Sequence, residues 1–124
     1  MPNLLLVMIG GAIGAGCRYQ LSRFALHQVG AAFPWGTLIV NLLGGLLIGL
    51  LAGLFARSGG NEPLRLLLAV GVLGGFTTFS AFSLETYDMI AQGALAAAFA
   101  YVLASVLGAL IMLVAGLWLA RAAV

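Results

Sequence analysis

Along the chain, long apolar runs alternate with short polar or turn-prone connections. The runs extend from Leu4 to about Leu26, from Gly36 to about Phe55, from Leu64 to about Gln92 and from Ala94 to about Ala120. Each reaches the ~20 apolar residues that a helix needs to cross a bilayer. His27 to Trp35, ending in Pro34-Trp35, joins the first two, and Arg57-Ser58-Gly59-Gly60-Asn61-Glu62-Pro63 is the most hydrophilic connection. The pattern predicts an all-α integral membrane protein in which residues 1–124 form a single transmembrane domain of four helices. Connections this short force antiparallel neighbours, so both termini fall on one side. Trp118 and Arg121 suit an interfacial anchor at the end of the fourth span.

The third run is too long for a plain crossing. At ~1.5 Å per residue it makes ~43 Å of helix, against a hydrocarbon core of ~30 Å. Near its middle lies Gly74-Gly75-Phe76-Thr77-Thr78-Phe79-Ser80-Ala81-Phe82-Ser83, which gathers two glycines, three phenylalanines and four hydroxyls. A break near Gly74-Gly75 is therefore predicted, with tilt as the alternative. Lipid cannot satisfy exposed backbone, so a break must be buried in protein or line a polar path. Interrupted helices at mid-membrane depth are a common way to build an ion site.

Composition narrows the classes. With 64% hydrophobic and 6% charged residues, no lysine and a mean hydropathy of +1.20, the chain has too little polar surface for a soluble domain. Five Lys+Arg, all arginine, against three acids give a net charge of +2, too sparse for nucleic-acid binding. The single Cys17 rules out an intrachain disulfide, and no Cys/His spacing suggests zinc. Met1-Pro2-Asn3 lacks a basic region before the first run, so no cleavable signal peptide is expected.

Arg57, Arg65 and Arg121 fall on one side of the membrane, Arg18 and Arg23 on the other. So small a bias permits insertion in both orientations, with opposite copies pairing as an inverted repeat, and it also permits one unique orientation. Gly10 and Gly14 share a helix face that leads to Arg18, and Gly45, Gly49 and Gly53 form a ladder with Asn41 one turn before it. Such faces bring membrane helices close together, and an oligomer is the expected home for them.

Asn41, one turn after Thr37, offers two amide donors to an anion, or an interhelical hydrogen bond worth ~0.6 kcal/mol. Phe76, Phe79 and Phe82 recur every three residues and predict a stripe on one helix face, with Ser80 and Ser83 beside it. Such a stripe ordinarily packs. Yet aromatic edges are electropositive, so rings flanked by hydroxyls also suit a hard, strongly hydrated anion that needs donors in place of water. The segment carries no titratable group, which fits passive conduction better than proton coupling. Arg18 lies ~21 Å into the first span and either lends positive potential to a vestibule or reaches the headgroups. Glu85 and Asp88 can pair with arginine or cap polar groups, His27 reads as an interfacial residue, and Tyr101 and Ser105 extend a polar track or bond between helices.

Gly36-Thr37-Leu38-Ile39-Val40-Asn41 followed by the Gly74–Ser83 segment resembles the CrcB/Fluc family of fluoride channels, as does the run from Gly10-Gly11 to Arg18-Tyr19. The resemblance covers essentially the whole chain. It implies an antiparallel, dual-topology homodimer in the plasma (inner) membrane that passively exports fluoride from the cytoplasm through two pores. By motif position, Asn41 would donate to fluoride, Phe79 and Phe82 would supply ring edges, and Ser80, Ser83, Thr37, Tyr101 and Ser105 would line the path. Arg18 would match the vestibule arginine. Carbonyls of Gly74 and Thr77 from both subunits would hold one structural Na+. Ala81 departs from the pattern, because a threonine is common there.

Two other classes compete. A small dual-topology multidrug/proton antiporter needs a membrane-embedded carboxylate, and the first two spans contain none. A purely structural subunit would pass no ion. An enzyme is not expected, since no nucleophile–base pair or metal cluster is visible.

Overall fold

The computed structural model describes residues 2–123. Helix α1 covers Pro2–Val29 and α2 covers Trp35–Ser58. The third crossing is composite: α3 (Glu62–Arg65), a π-helical stretch (Leu66–Leu73), α4 (Gly74–Phe76) and α5 (Phe79–Ala91). Helix α6 covers Leu95–Ala122. Among the described residues, four helical rods are thus long and apolar enough to cross a membrane, the third running from Glu62 to Ala91. No strand occurs among the described residues.

Local chemistry explains the boundaries. Gly59 stops α2 in the left-handed region at φ 83°, donating its N–H to the Phe55 carbonyl. Asn61 caps the next helix by accepting the Leu64 N–H at 2.8 Å, and Pro63 follows in the first turn, where a missing N–H is harmless.

Helix pairing divides the molecule. The broadest contact is between α2 and α6, while α1 lies against the π-helical stretch and α4. After the interruption, α5 packs against α6 instead. The third crossing therefore starts on α1 and finishes on α6.

Glycine decides both pairings. A Cβ on Gly14 would overlap the Val72 carbonyl, and one on Gly75 would lie 2.5 Å from the Gly11 carbonyl oxygen. On α2, a Cβ at Gly45 would lie 2.7 Å from the Ala109 carbonyl oxygen, and one at Gly49 would overlap that of Leu113. The expectation that an oligomer accounts for the ladders is corrected here. Both glycine faces are occupied inside one chain, because close backbone approach is what joins α1 to the third crossing and α2 to α6.

The interruption also lies further along than Gly74-Gly75. Those glycines are helical, and the extended residues are Thr77 (φ −81°, ψ 159°) and Thr78 (φ −150°, ψ 117°). Gly75 serves approach to α1 at Gly11, and the break forms where a side chain can replace lost helical bonds. Just before it, the backbone widens to i→i+5 bonding, with the Gly74 N–H donating to the Ala69 carbonyl. The predicted three-phenylalanine stripe is divided accordingly. Phe76 is buried before the break, Phe79 is 76% exposed after it, and Phe82 is buried again.

The core centres on Leu38, Phe82, Met89, Ala98 and Tyr101, where α2, α5 and α6 meet, with Phe33, Leu42 and Val102 packed around it. Outward-facing side chains such as Phe24, Ile111 and Trp118 are largely exposed. Hydrocarbon solvates such groups, so their exposure is ordinary in a membrane protein.

Candidate ion-conduction site

At the break, Asn41 substitutes for the helix. The Thr78 N–H donates to Asn41 Oδ1 at 2.9 Å, and Asn41 Nδ2 donates to the Thr78 carbonyl at 3.1 Å. Both backbone groups of one extended residue are satisfied by a single amide side chain. Thr78 then caps α5, its Oγ1 accepting the Ala81 N–H at 3.2 Å. In an unbroken helix the Thr78 N–H would bond the Gly74 carbonyl, and the Ala81 N–H that of Thr77. Both donors are redirected to side chains, so the two carbonyls are released. Between them, the Gly75 carbonyl accepts Arg18 Nε at 3.2 Å.

Two cavities flank this region. The inner one, about 440 Å³, is bounded by Asn41, Gly74, Thr77, Thr78, Phe79, Phe82 and Ser105. The outer one, about 380 Å³, lies beneath the α1–α2 loop and is bounded by Phe33, Trp35, Thr37, Glu85, Asp88 and Gln92. Phe82 borders the first and Glu85, one turn later, borders the second.

Glu85 organises the space between them. Thr37 Oγ1 donates to its Oε2 at 3.1 Å, and the Tyr101 hydroxyl donates to its Oε1 at 3.0 Å. One turn along α6 from the fully buried Tyr101, Ser105 is 7% exposed and its Oγ has no hydrogen-bond partner. An unpaired buried hydroxyl normally carries a cost of ~1–3 kcal/mol, so its place on the inner cavity marks a donor held in reserve.

Aromatic rings run through the same region. Phe79 and Phe82 have centroids 5.4 Å apart, Phe82 and Tyr101 5.2 Å, Tyr101 and Phe33 5.4 Å, and Phe33 and Trp35 4.9 Å. The Phe33–Tyr101 pair is edge-to-face at 86°.

Of the residues singled out in the sequence, Asn41, Phe79, Phe82, Ser105, Gly74 and Thr77 border the inner cavity and Thr37 the outer one, while Tyr101 lines neither and reaches the region through its bond to Glu85. Ser80 and Ser83 lie elsewhere. Both are exposed, border neither cavity and bond locally. The Ser80 hydroxyl sits 3.2 Å from that of Thr78, and Ser83 Oγ donates to the Phe79 carbonyl at 2.9 Å. Arg18 touches the break from behind, through α1. Sequence reasoning missed the splinted Thr78, the loop residue Phe33 and the hub role of Glu85. An acid deep in an apolar run was the available signal for Glu85. Among the described residues, no cluster of His, Cys, Asp or Glu forms a metal site.

Comparison with known proteins decides the family. Residues 5–117 match the family model described as CrcB-like protein, Camphor Resistance (CrcB). The chain belongs to the CrcB family. Among its CrcB relatives, a "Fluoride-specific ion channel FluC" from Mesorhizobium japonicum is 52% identical over 121 residues, 98% of each chain. A protein of the same name from a Chelativorans species is 56% identical over 123 residues, again 98% of each, and one from a Caulobacter species is 54% identical over 123 residues, covering 98% of this chain and 96% of its own. As a CrcB protein with four membrane-spanning helices, the chain is a multi-pass membrane protein, which in bacteria such as these means the plasma membrane.

Proposed function

We propose that this protein is a fluoride-selective channel that lets fluoride leave the cytoplasm passively and so lowers its internal concentration. Full-length relatives bearing that activity in their names support the reading. The observation that carries it in this chain is the inner cavity, where the buried, partnerless Ser105 hydroxyl and the Asn41 amide stand beside Phe79 and Phe82. A fluoride ion surrenders tightly held water only to strong donors. Asn41 uses one amide hydrogen on Thr78 and keeps the second, and Ser105 keeps its only one. Ring edges add positive potential without competing lone pairs. The Thr37 and Tyr101 hydroxyls point their protons at Glu85, so they orient its carboxyl group beside the path.

Two antiparallel copies complete this reading. Phe79, 76% exposed on the rim of the inner cavity, is shaped to meet a second chain. The released carbonyls of Gly74 and Thr77 fit a hard cation: four such oxygens from two copies suit Na+, which would neutralise carbonyl dipoles that the break leaves unpaired. An impermeant thiol reagent should label a cysteine introduced at Ser58 from both membrane faces. Labelling from one face alone removes the antiparallel pair, and the shared ion site with it.

The deciding experiment is efflux from liposomes loaded with fluoride and chloride. Purified protein should release fluoride and retain chloride, without a proton gradient. Equal chloride release defeats selectivity, absence of flux favours a structural subunit, and substrate movement that requires a proton gradient favours the antiporter.

A further inference from the structure

The ring row does not end in the membrane-spanning helices. Its continuation comes from the α1–α2 connection, where Phe33 lies half-buried between the left-handed Gly30 (φ 80°) and Pro34. Tyr101 is clamped between two rings: Phe82 at 5.2 Å on the pore side and Phe33 at 5.4 Å, edge-to-face, on the loop side. The same Tyr101 has no exposed surface and holds Glu85 by its hydroxyl. Phe33 also forms a wall of the outer cavity, which Glu85 and Thr37 share.

We propose that Phe33 is a positioning residue for anion passage: its ring locks Tyr101 in the rotamer that bonds Glu85. This rests on the channel reading above and adds a residue outside the membrane-spanning helices to it. The physical case has two parts. An aromatic pair in edge-to-face contact has a preferred orientation that an aliphatic side chain of similar bulk lacks. Without Phe33, Tyr101 faces an emptied space of side-chain size, in which it can rotate away from Glu85. Glu85, which already borders the outer cavity, then loses one of its two hydroxyl donors.

The test is fluoride efflux from liposomes containing single and paired variants, each verified as monodisperse in detergent. Phe33→Ala should slow efflux about twofold to tenfold, the factor that an aromatic pair is worth. Phe33→Leu, which restores bulk without a ring, should remain slow, and Phe33→Tyr should recover at least half of the rate. Because Phe33 acts through the Tyr101 hydroxyl, adding Phe33→Ala to Tyr101→Phe should cost no further rate. Recovery by leucine, or multiplicative losses in the pair, overturns the proposal. Absence of fluoride flux in the unmodified protein defeats the channel reading itself, whereas normal flux in Phe33→Ala defeats only this inference.

Discussion

The two halves of the third crossing share one apolar run and do opposite work. From Leu66 to Phe76 the chain is bound to α1 through backbone-to-backbone contact, with Gly71 and Gly75 against Gly10 and Gly11. From Phe79 to Ala91 it lies on α6 and presents Phe79, Phe82 and Glu85 to the two cavities. The first half gains its stability from the absence of side chains, the second its chemistry from their presence. Such a division is possible only because two extended residues, Thr77 and Thr78, let the crossing change neighbours. A continuous helix would hold every side chain on fixed faces and could not leave α1 for α6 midway. The lesson is that the break redirects the helix as well as exposing its backbone.

The largest test of this contrast strikes the scaffold half. Gly14→Ala places a methyl group on the Val72 carbonyl, where backbone on both sides resists movement. Overpacking of this kind costs roughly 1–3 kcal/mol and more where only backbone can yield. Most of the protein should lose its monodisperse elution in detergent after mild heating. Gly16, two residues on and exposed, has nothing within 4 Å of a built Cβ, and Gly16→Ala should leave elution unchanged or improved, since alanine favours helix by about 1 kcal/mol. Equal behaviour of the two variants would mean that α1 does not anchor the third crossing.

Much of this arrangement was legible in the sequence. Four apolar runs announced four spanning helices, and the excess length of the third announced an interruption. Asn41 stood out as a polar residue one turn before a glycine ladder. What escaped reading shares a physical cause: a sequence states what a face can do, but not which neighbour it meets. The Gly45, Gly49 and Gly53 ladder signalled close approach, yet nothing in its spacing distinguishes α6 from a second copy. Gly74-Gly75 looked like a breaker because glycine is weak in helices, whereas here Gly75 permits contact with α1 and the break falls where Asn41 can splint it. Phe33 sits in a connection without periodicity, so only the folded chain brings it to Tyr101.

A finer test strikes the hinge. Asn41 serves Thr78 with an acceptor and a donor, and it retains one amide hydrogen towards the inner cavity. Asn41→Ala removes both bonds and leaves the Thr78 N–H unpaired, at ~1–3 kcal/mol where no water reaches it, while the Thr78 carbonyl keeps the first bond of α5. Both thermal stability and fluoride efflux should fall. Asn41→Asp keeps the acceptor for the Thr78 N–H but sets a carboxylate against the Thr78 carbonyl and against any anion in the cavity. Its stability should therefore lie nearer to that of the unmodified protein than to that of Asn41→Ala, while its fluoride efflux falls at least as far. The separation is informative because a residue that only splinted the break would lose both properties in proportion. Asn41→Asp with normal efflux would remove this side chain from the anion's path and leave it as a hinge pin alone. Reduced efflux with stability largely kept would join the two roles in one amide: one hydrogen holding the break open, the other facing the ion.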